Sequence, residues 1–260
     1  MECRDQLGRK LHLKHTPQRI VSLVPSQSEL LVDLGLESSI VAVTKFCVHP
    51  KHLRKTKSVV GGTKQVHIEK IKAVQPDIIL CNKEENTKAM IEELESIAPV
   101  HISDIYNLED TLQLIQHYGN MFNVESKAQS LVKDIQSERA HFQFTTKINK
   151  TKKVAYFIWK DPWMVAGGNT FINTMLGEAG FNNIYADLER YPEVALEDEY
   201  LQEADIIFLS SEPYPFKDKH IDVLKSSWPQ KTISIVDGEL FSWYGSRLLK
   251  AYDYFKRLQN

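Results

Sequence analysis

The chain has 260 residues, of which 42% are hydrophobic and 25% are charged, values that are ordinary for a globular protein of one or two domains. Its 32 basic and 34 acidic side chains give a net charge of −2 and form no basic cluster, so we expect no nucleic-acid partner. The three cysteines, Cys3, Cys47 and Cys81, are too few and too far apart for a disulfide framework or a CxxC zinc site.

The amino-terminal residues 1–19 are polar throughout and lack the apolar core of a signal peptide. No apolar run in the sequence approaches the ~20 residues that are needed to span a bilayer. Two alternatives stay open for the location of the protein. Either a leader has been removed, or the protein stays in the cytoplasm, as expected if Met1 is the natural start.

From Arg19 onward, short apolar runs alternate with stretches of helical periodicity, which is typical of βαβ units in a mostly parallel sheet. Gly35 is a suitable helix end, and Pro76 breaks another helical stretch. The pattern predicts, in chain order, strand 20–24, helix 29–34, strand 40–43, helix 68–74, strand 77–81, helix 87–97, strand 100–102 and helix 108–122.

Residues 124–147 keep helical spacing without any Gly or Pro, which predicts one helix ~33–36 Å long. The alternation then resumes, with strands 154–159, 205–210 and 233–236 and helices 170–179 and 247–258. We therefore predict an α/β fold of two Rossmann-like lobes joined by a single long helix. The predicted parts are an N-terminal α/β lobe at 1–122, a connecting helix at 123–150 and a C-terminal α/β lobe at 151–260.

An internal repeat relates the two predicted lobes. Residues 68–80 (IEKIKAVQPDIIL) align without gaps with residues 196–208 (LEDEYLQEADIIF). The alignment pairs acidic residues of the two segments and of the loops beyond them: Glu69 with Glu197, Asp77 with Asp205, and Glu84 with Glu212. These matching acidic positions favour two structurally equivalent halves.

Ligands bind beyond the carboxyl ends of the strands in parallel sheets, so the loops after the strands are the candidate site. After the first strand, Ser26 or Ser28 can cap the next helix, whose free N–H groups can also receive an acidic group of a ligand. After the second, Cys47 and His49 would face one way in an extended loop and can ligate a soft or borderline metal. The alternative is helix capping alone for the serines and a place in the pocket wall for Cys47 and His49.

Aromatic residues gather in the loops of the second half, several of them beside Pro or Gly. Core packing usually puts aromatic rings inside strands and helices, so rings in these loops indicate a flat apolar wall for a ligand. The candidate ligand-binding residues are Ser26, Gln27, Phe46, Cys47, His49, Lys64, Trp159, Trp163, Tyr214, Trp243, Tyr244 and Arg247. Further polar candidates near the same loops are Lys83, Glu84 and Glu212, and a solvated surface role is the alternative for every charged candidate.

Four segments resemble the ABC-transporter substrate-binding proteins that carry cobalamin, haem and ferric siderophores: 19–36, 66–80, 164–184 and 194–208. They occur in that family's order, and three more segments, 45–50, 210–216 and 237–249, resemble a subgroup near the cobalamin binders. The resemblance implies no intrinsic cofactor and a bound metal chelate, either a cobalt corrinoid or an iron complex such as a siderophore or haem, held in an interlobe cleft. Cobalamin binders tend to carry an aromatic residue just before the Glu-bearing helix, where this chain has GGTKQ at 61–65.

The same resemblance implies a monomer that docks on arginines of a dimeric membrane permease through Glu69 and Glu197, one on each lobe. The alternative for each glutamate is a favourable position at a helix start. The family location is the periplasm or a membrane anchor outside the cytoplasm. Two other functions stay open: a cytosolic carrier of metal chelates, and an enzyme that uses the interlobe cleft. The sequence contains no nucleophile elbow, phosphate loop or paired-carboxylate motif, so we expect no catalysis.

Overall fold

The computed structural model of the chain describes residues 2–146, 148 and 151–259. Contacts divide the chain into two units. The first unit runs to Ser137 and also includes Tyr244–Leu248, whereas the second comprises Glu138–Trp243 and the residues from Leu249 onward. The division thus falls inside the predicted connecting helix. It also assigns Tyr244–Leu248, a short segment of the predicted C-terminal lobe, to the first unit.

The first unit contains a five-stranded parallel sheet and a small antiparallel hairpin. The hairpin strands are β1 (Glu2–Arg4) and β2 (Lys10–His12). The sheet strands are β3 (Ile20–Ser22), β4 (Ile40–Val43), β5 (Ser58–Val59), β6 (Ile78–Asn82) and β7 (Val100–Ser103), in the spatial order β5-β4-β3-β6-β7. The helices are α1 (Pro25–Asp33), α2 (Leu53–Thr56), α3 (Ile68–Ala73), α4 (Lys88–Leu94), α5 (Leu108–Met121) and the start of α6 (Glu125–Thr145).

Local sequence explains these elements. All five residues of β6, IILCN, are buried, as expected for an inner parallel strand that is covered on both faces. Helix α5 begins with a capping box, in which Asn107 accepts from the Asp110 backbone while the Asp110 side chain accepts from the Asn107 backbone. Helix α4 is capped by the Thr87 hydroxyl, which accepts from the Met90 N–H.

The second unit has a mixed sheet in the order β10-β8-β11-β12, with a short strand β9 antiparallel to β8. Its strands are β8 (Lys152–Trp159), β9 (Met164–Val165), β10 (Phe181–Asn183), β11 (Ile206–Ser210) and β12 (Thr232–Val236). Its helices are α7 (Phe171–Glu178), α8 (Tyr200–Glu203), α9 (Asp218–Ser227), α10 (Glu239–Ser242) and α11 (Leu248–Gln259).

The internal repeat appears in the strands themselves. β6 and β11 occupy positions that the sequence alignment makes equivalent, and an aspartate precedes each strand. Asp77 accepts hydrogen bonds from the backbone N–H groups of Gln18 (2.8 Å) and Arg19 (3.0 Å), at the entry to β3. Asp205 accepts one from the N–H of Lys153 (2.8 Å), the second residue of β8. Each aspartate therefore holds the start of the neighbouring strand in its own unit.

Helix α6 confirms the long helix that the sequence predicts at 124–147, although the predicted end at Lys147 lies outside the described residues. The same holds for residues 149 and 150 of the predicted connecting segment. Within the described part of the chain, no helix has the length and apolar character needed to cross a bilayer.

Candidate functional site

Each sheet ends in a set of loops at the carboxyl ends of its parallel strands. We call the loops after β3 to β7 the first carboxyl edge and the loops after β8, β10, β11 and β12 the second carboxyl edge. Most residues that the sequence predicts as ligand contacts lie in these loops or in the turns that begin the following helices. The first edge belongs to the first unit and the second edge to the second unit.

At the start of α1, the serines do not cap the helix as predicted. The N-cap residue is Val24, and no side chain bonds there. The Ser28 hydroxyl instead lies within hydrogen-bond distance of the Val24 carbonyl (3.0 Å) and of the Ser22 hydroxyl (2.8 Å). The Ser26 hydroxyl is buried in the same turn. Both serines belong to the packed interior of this turn, because α1 already begins at Pro25, two residues before the Gln27 start that a Ser26 cap would require.

Gln27 is fully buried and lies at the centre of a hydrogen-bonded network in the first unit. Its amide nitrogen donates to the hydroxyl groups of Ser103 (2.7 Å) and Tyr244 (2.9 Å), and its amide oxygen accepts from the Tyr118 hydroxyl (2.6 Å). Buried polar groups need such partners. The network therefore holds Gln27 and Tyr244 within the packing of the first unit, and their contact with a ligand stays a prediction.

Arg247 is also buried, and it forms a two-pronged ion pair with Glu29 of α1, with N–O distances of 2.8 and 2.9 Å. A guanidinium matches a carboxylate in this geometry. Arg247 thus fastens the returning segment Tyr244–Leu248 to α1 within the first unit. A contact between Arg247 and a ligand stays a prediction.

The loop after β4 is a turn, and the extended conformation predicted for Cys47 and His49 is wrong. The Cys47 N–H bonds to the Thr44 carbonyl, and the thiol is buried 3.1 Å from the Ser28 hydroxyl. Burial raises the pKa of Cys47, which keeps the thiol protonated and makes it a poor metal ligand. His49 is half-buried, and no group of three or more His, Cys, Asp or Glu side chains in the described residues is arranged to hold a metal ion. The structure therefore does not support Cys47 and His49 as metal ligands.

Phe46, in contrast, projects from the same turn with 48% of its surface exposed. Lys64 is exposed in the loop after β5, and its ammonium group donates to the Glu84 carbonyl (2.6 Å). Lys83 forms an ion pair with Asp104 (2.7 Å) at the end of β7. The exposed candidates of the first carboxyl edge are therefore one aromatic ring and several cationic side chains.

The second carboxyl edge carries a layered set of aromatic rings. The Trp159 ring, 39% exposed at the end of β8, meets the Tyr214 ring edge-on at a centroid distance of 5.4 Å. Behind Tyr214 lies the buried Phe216 ring at 4.7 Å, and the half-buried Trp163 ring stacks on Phe216 at 6.0 Å with an interplanar angle of 11°. The front pair is therefore supported by rings that belong to the core of the unit.

Trp243 is turned into the second unit and is buried there. Its indole N–H donates to Glu212 Oε1 (3.0 Å), which also accepts from the Ser242 hydroxyl (2.6 Å). Burial raises the pKa of Glu212, and the two donors lower it in part. These bonds assign Trp243 and Glu212 to the support of the β11 loop, not to an exposed ligand wall.

The two predicted docking glutamates are both on the surface. Glu69 lies in the first turn of α3 with its side chain 85% exposed and pairs with Lys72 at 2.9 Å. Glu197 is exposed in a turn three residues before α8, so its predicted position at a helix start is wrong. A favourable interaction with a helix dipole therefore does not account for the presence of a glutamate at position 197.

Lys45 and Gly62 of the first carboxyl edge lie beside Phe46 but are not among the candidate residues that the sequence predicts. The Lys45 ammonium lies 5.0 Å from the centroid of the Phe46 ring. A Cβ atom on Gly62 would come within 3.2 Å of Phe46 Cε2. The signal for Gly62 was a Gly-Gly pair in a loop after a strand, because glycine in such a place permits close approach of another group.

Known proteins were compared with this chain. The family model described as periplasmic binding protein matches residues 20–229. An uncharacterized ABC transporter substrate-binding lipoprotein of Bacillus subtilis is 29% identical over 191 residues, which cover 70% of this chain but only 60% of that protein. A vitamin B12-binding protein of Vibrio parahaemolyticus is 25% identical over 197 residues, 74% of this chain and 70% of that protein.

The fold is also found among solved structures. The apo periplasmic heme-binding protein RhuT from Roseiflexus sp. RS-1 superposes with a TM-score of 0.79, covering 94% of this chain and 99% of that one at 19% identity. At this identity the superposition shows a common fold, and the family assignment rests on the match of the family model. The chain belongs to the periplasmic binding protein family.

Proposed function

We propose that this protein is the substrate-binding component of an ABC importer, that it holds a metal chelate as a monomer, and that it delivers the chelate to a membrane permease without any chemical step. Family membership and the substrate-binding lipoprotein among its relatives support the transport role. The named ligands of a relative and of a structural neighbour, vitamin B12 and haem, suggest the ligand class: a cobalt corrinoid, or an iron complex such as haem or a ferric siderophore.

The observation that carries this proposal is the Trp159–Tyr214 ring pair at the second carboxyl edge. An indole that is 39% exposed leaves apolar surface in water, which is unfavourable by about 25 cal/mol per Å². Tyr214 is held from behind, because its ring contacts Phe216 at 4.7 Å and its hydroxyl lies 3.4 Å from His220 Nε2. Such a fixed ring pair loses little conformational freedom when a flat apolar ligand face packs against it.

We also propose that Glu69 and Glu197 contact basic residues of the permease. Both carboxylates are exposed, and the sequence repeat makes their positions equivalent. Two separated acidic side chains suit a partner with two-fold symmetry. Charged groups at such surfaces guide encounter and orientation more than they raise affinity.

The ligand proposal is tested by fluorescence titration of the protein with cyanocobalamin, haem, and ferric catecholate and hydroxamate complexes. At least one probe should quench tryptophan emission. Trp159→Ala should weaken that binding by about 1–3 kcal/mol, as for truncation of an aromatic hot spot. Trp159→Phe should remove most of the quenching while retaining more of the affinity.

Trp228→Phe is the matched control. Trp228 precedes β12 and therefore lies near the amino end of that strand, opposite the second carboxyl edge. Its indole N–H donates to the Leu196 carbonyl (2.8 Å). Quenching and affinity should both survive this change. Absence of a response to every probe by folded wild-type protein contradicts the proposed ligand class, and undiminished binding by Trp159→Ala contradicts the site.

A further inference from the structure

An exposed aromatic ring at the first carboxyl edge is held on a firmly anchored turn. Below Phe46, the Cys47 thiol lies between the hydroxyl groups of Ser28 (3.1 Å) and Thr44 (3.4 Å). Beside it, the Lys45 N–H donates to the Gly61 carbonyl (2.7 Å). The backbone on both sides of Phe46 is thus fixed, although the ring itself is 48% exposed. Neighbouring structure therefore holds the ring where solvent reaches it.

The ring also lies against bare backbone. A Cβ atom on Gly62 would come within 3.2 Å of Phe46 Cε2 and 3.5 Å of Lys45 Cε. A Cβ atom at position 62 would require the ring to shift by a few tenths of an ångström, and a branched side chain would require a larger shift. The Gly62 loop is itself closed by a short bond from its N–H to the Gln65 carbonyl (2.7 Å). Glycine at position 62 therefore leaves room for Phe46 and Lys45 to lie close to the backbone of this loop.

One cationic group lies over the ring, and a second belongs to the Gly62 loop. The Lys45 ammonium lies 5.0 Å from the ring centroid, and Lys64 follows Gly62 by two residues. Among the described residues, neither lysine forms an ion pair with a carboxylate, since Lys64 bonds to the backbone carbonyl of Glu84. Lys83 of the same edge differs, because its charge is matched by Asp104 at 2.7 Å. The positive charges beside Phe46 are therefore available to an anionic partner.

We propose that Lys45, Phe46, Gly62 and Lys64, here called the Phe46 platform, select a chelate that presents an anionic carboxylate or phosphate group beside an apolar face. This inference rests on the proposed function and adds the charge of the ligand to it. The ring packs against the apolar face, and the two ammonium groups bond to the anionic group, an interaction stronger than a neutral hydrogen bond. Carboxylate and phosphate share this chemistry, so the test uses both.

The test compares probes that differ in their anionic groups. One pair is haem and its dimethyl ester, and another is cyanocobalamin, which contains a phosphodiester, and dicyanocobinamide, which does not. Wild-type protein should bind the member that carries the anionic group more tightly in at least one pair, by about tenfold. Lys45→Gln with Lys64→Gln should abolish this preference. Lys14→Gln with Lys133→Gln removes the same charge at two other exposed positions and should preserve it.

A second comparison tests the support of the ring. Gly62→Val should displace Phe46 and weaken binding of both members of a pair to a similar extent as Phe46→Ala, about tenfold, while the preference for the anionic member survives. Gly177→Ala is the control, because a Cβ atom there meets nothing within 4 Å. Circular dichroism and thermal melting establish that each variant is folded.

The outcomes separate this inference from the proposed function. If wild-type protein binds both members of every pair equally, or the double lysine variant retains the preference, the Phe46 platform does not select for charge, and the importer role stands. Binding of a neutral ferric hydroxamate alone also overturns the inference and leaves the proposed function intact. If no probe binds, both fail together.

Discussion

At the residue scale, His101 is a histidine whose charge the fold opposes. It lies in β7, fully buried, with its ring edge-on to Tyr118 at 5.4 Å, and neither ring nitrogen has a hydrogen-bond partner among the described residues. Burial lowers the pKa of His101 from 6.5 to about 4. The neighbouring charges act less strongly, Asp5 raising the pKa and His117 and Arg9 lowering it. Only the neutral imidazole therefore fits this site.

The unfolded chain should take up a proton at His101 near pH 6.5, whereas the folded chain resists until pH 4 or so. The neutral His101 therefore adds its full contribution to the free energy of unfolding above pH 6.5. That contribution, up to about 3 kcal/mol, is lost as the pH falls toward 4. Urea unfolding between pH 7.5 and pH 4.5 measures this loss. His101→Phe should flatten the acid limb of the stability curve. An unchanged acid limb in that variant would assign the loss to other groups.

The residue scale is also where the sequence predicts least. Gln27, Cys47 and Arg247 follow strands or lie in loops, as ligand contacts often do, yet all three side chains are buried in the first unit. Sequence gives the position of a residue after a strand, but not whether its side chain turns inward. That choice depends on partners far along the chain, such as Tyr118 for Gln27 and Glu29 for Arg247.

At the scale of elements, Asp77 and Asp205 make equivalent bonds to the start of the neighbouring strand. Asp77→Ala and Asp205→Ala should each lower the free energy of unfolding by about 1–2 kcal/mol, because backbone N–H groups lose a charged acceptor. Asp→Asn at either position should restore part of the loss, since the amide oxygen can still accept. Chemical denaturation gives the values. Asp222→Ala, on the exposed face of α9, is the control, and equal stability of all three alanine variants would contradict the role.

Long or strongly apolar elements could be predicted from sequence. The strand predicted at 40–43 is β4 without change, and α5 and α6 end within two residues of their predicted bounds. The hairpin β1–β2 and helix α9 were missed. Three-residue strands are too short to display an alternation of apolar side chains, and α9 has an isolated apolar stripe among many charges. Periodicity needs more residues than these elements offer.

At the scale of the whole molecule, the docking proposal predicts a loss of transport without a loss of ligand affinity. Glu69→Gln with Glu197→Gln should prevent binding to a reconstituted permease, since removing one partner of a charge pair buried in an interface commonly costs about 2–5 kcal/mol. Each single change should give a partial defect. Surface plasmon resonance with the permease in nanodiscs measures docking, and the fluorescence titration measures ligand.

Glu92→Gln supplies the control for this experiment. Glu92 is exposed on α4, and its carboxylate lies 3.8 Å from the Lys88 ammonium. Such an exposed ion pair contributes little to the free energy of unfolding, so the charge of Glu92 can be removed without destabilising the protein. Docking should survive in this variant. If the double variant docks fully, Glu69 and Glu197 are ordinary surface charges and the docking proposal is wrong. If the double variant loses ligand affinity, the two glutamates belong to the ligand-binding site.

The return of Tyr244–Leu248 to the first unit has a consequence for how the protein is made. During synthesis, residues up to Ser137 leave the ribosome long before Tyr244 and Arg247 exist. Until then, the Gln27 network lacks one hydroxyl group and Glu29 lacks its ion pair with Arg247. The amino-terminal unit therefore reaches its final packing only when translation is almost finished, and a prematurely terminated chain should be a target for proteolysis.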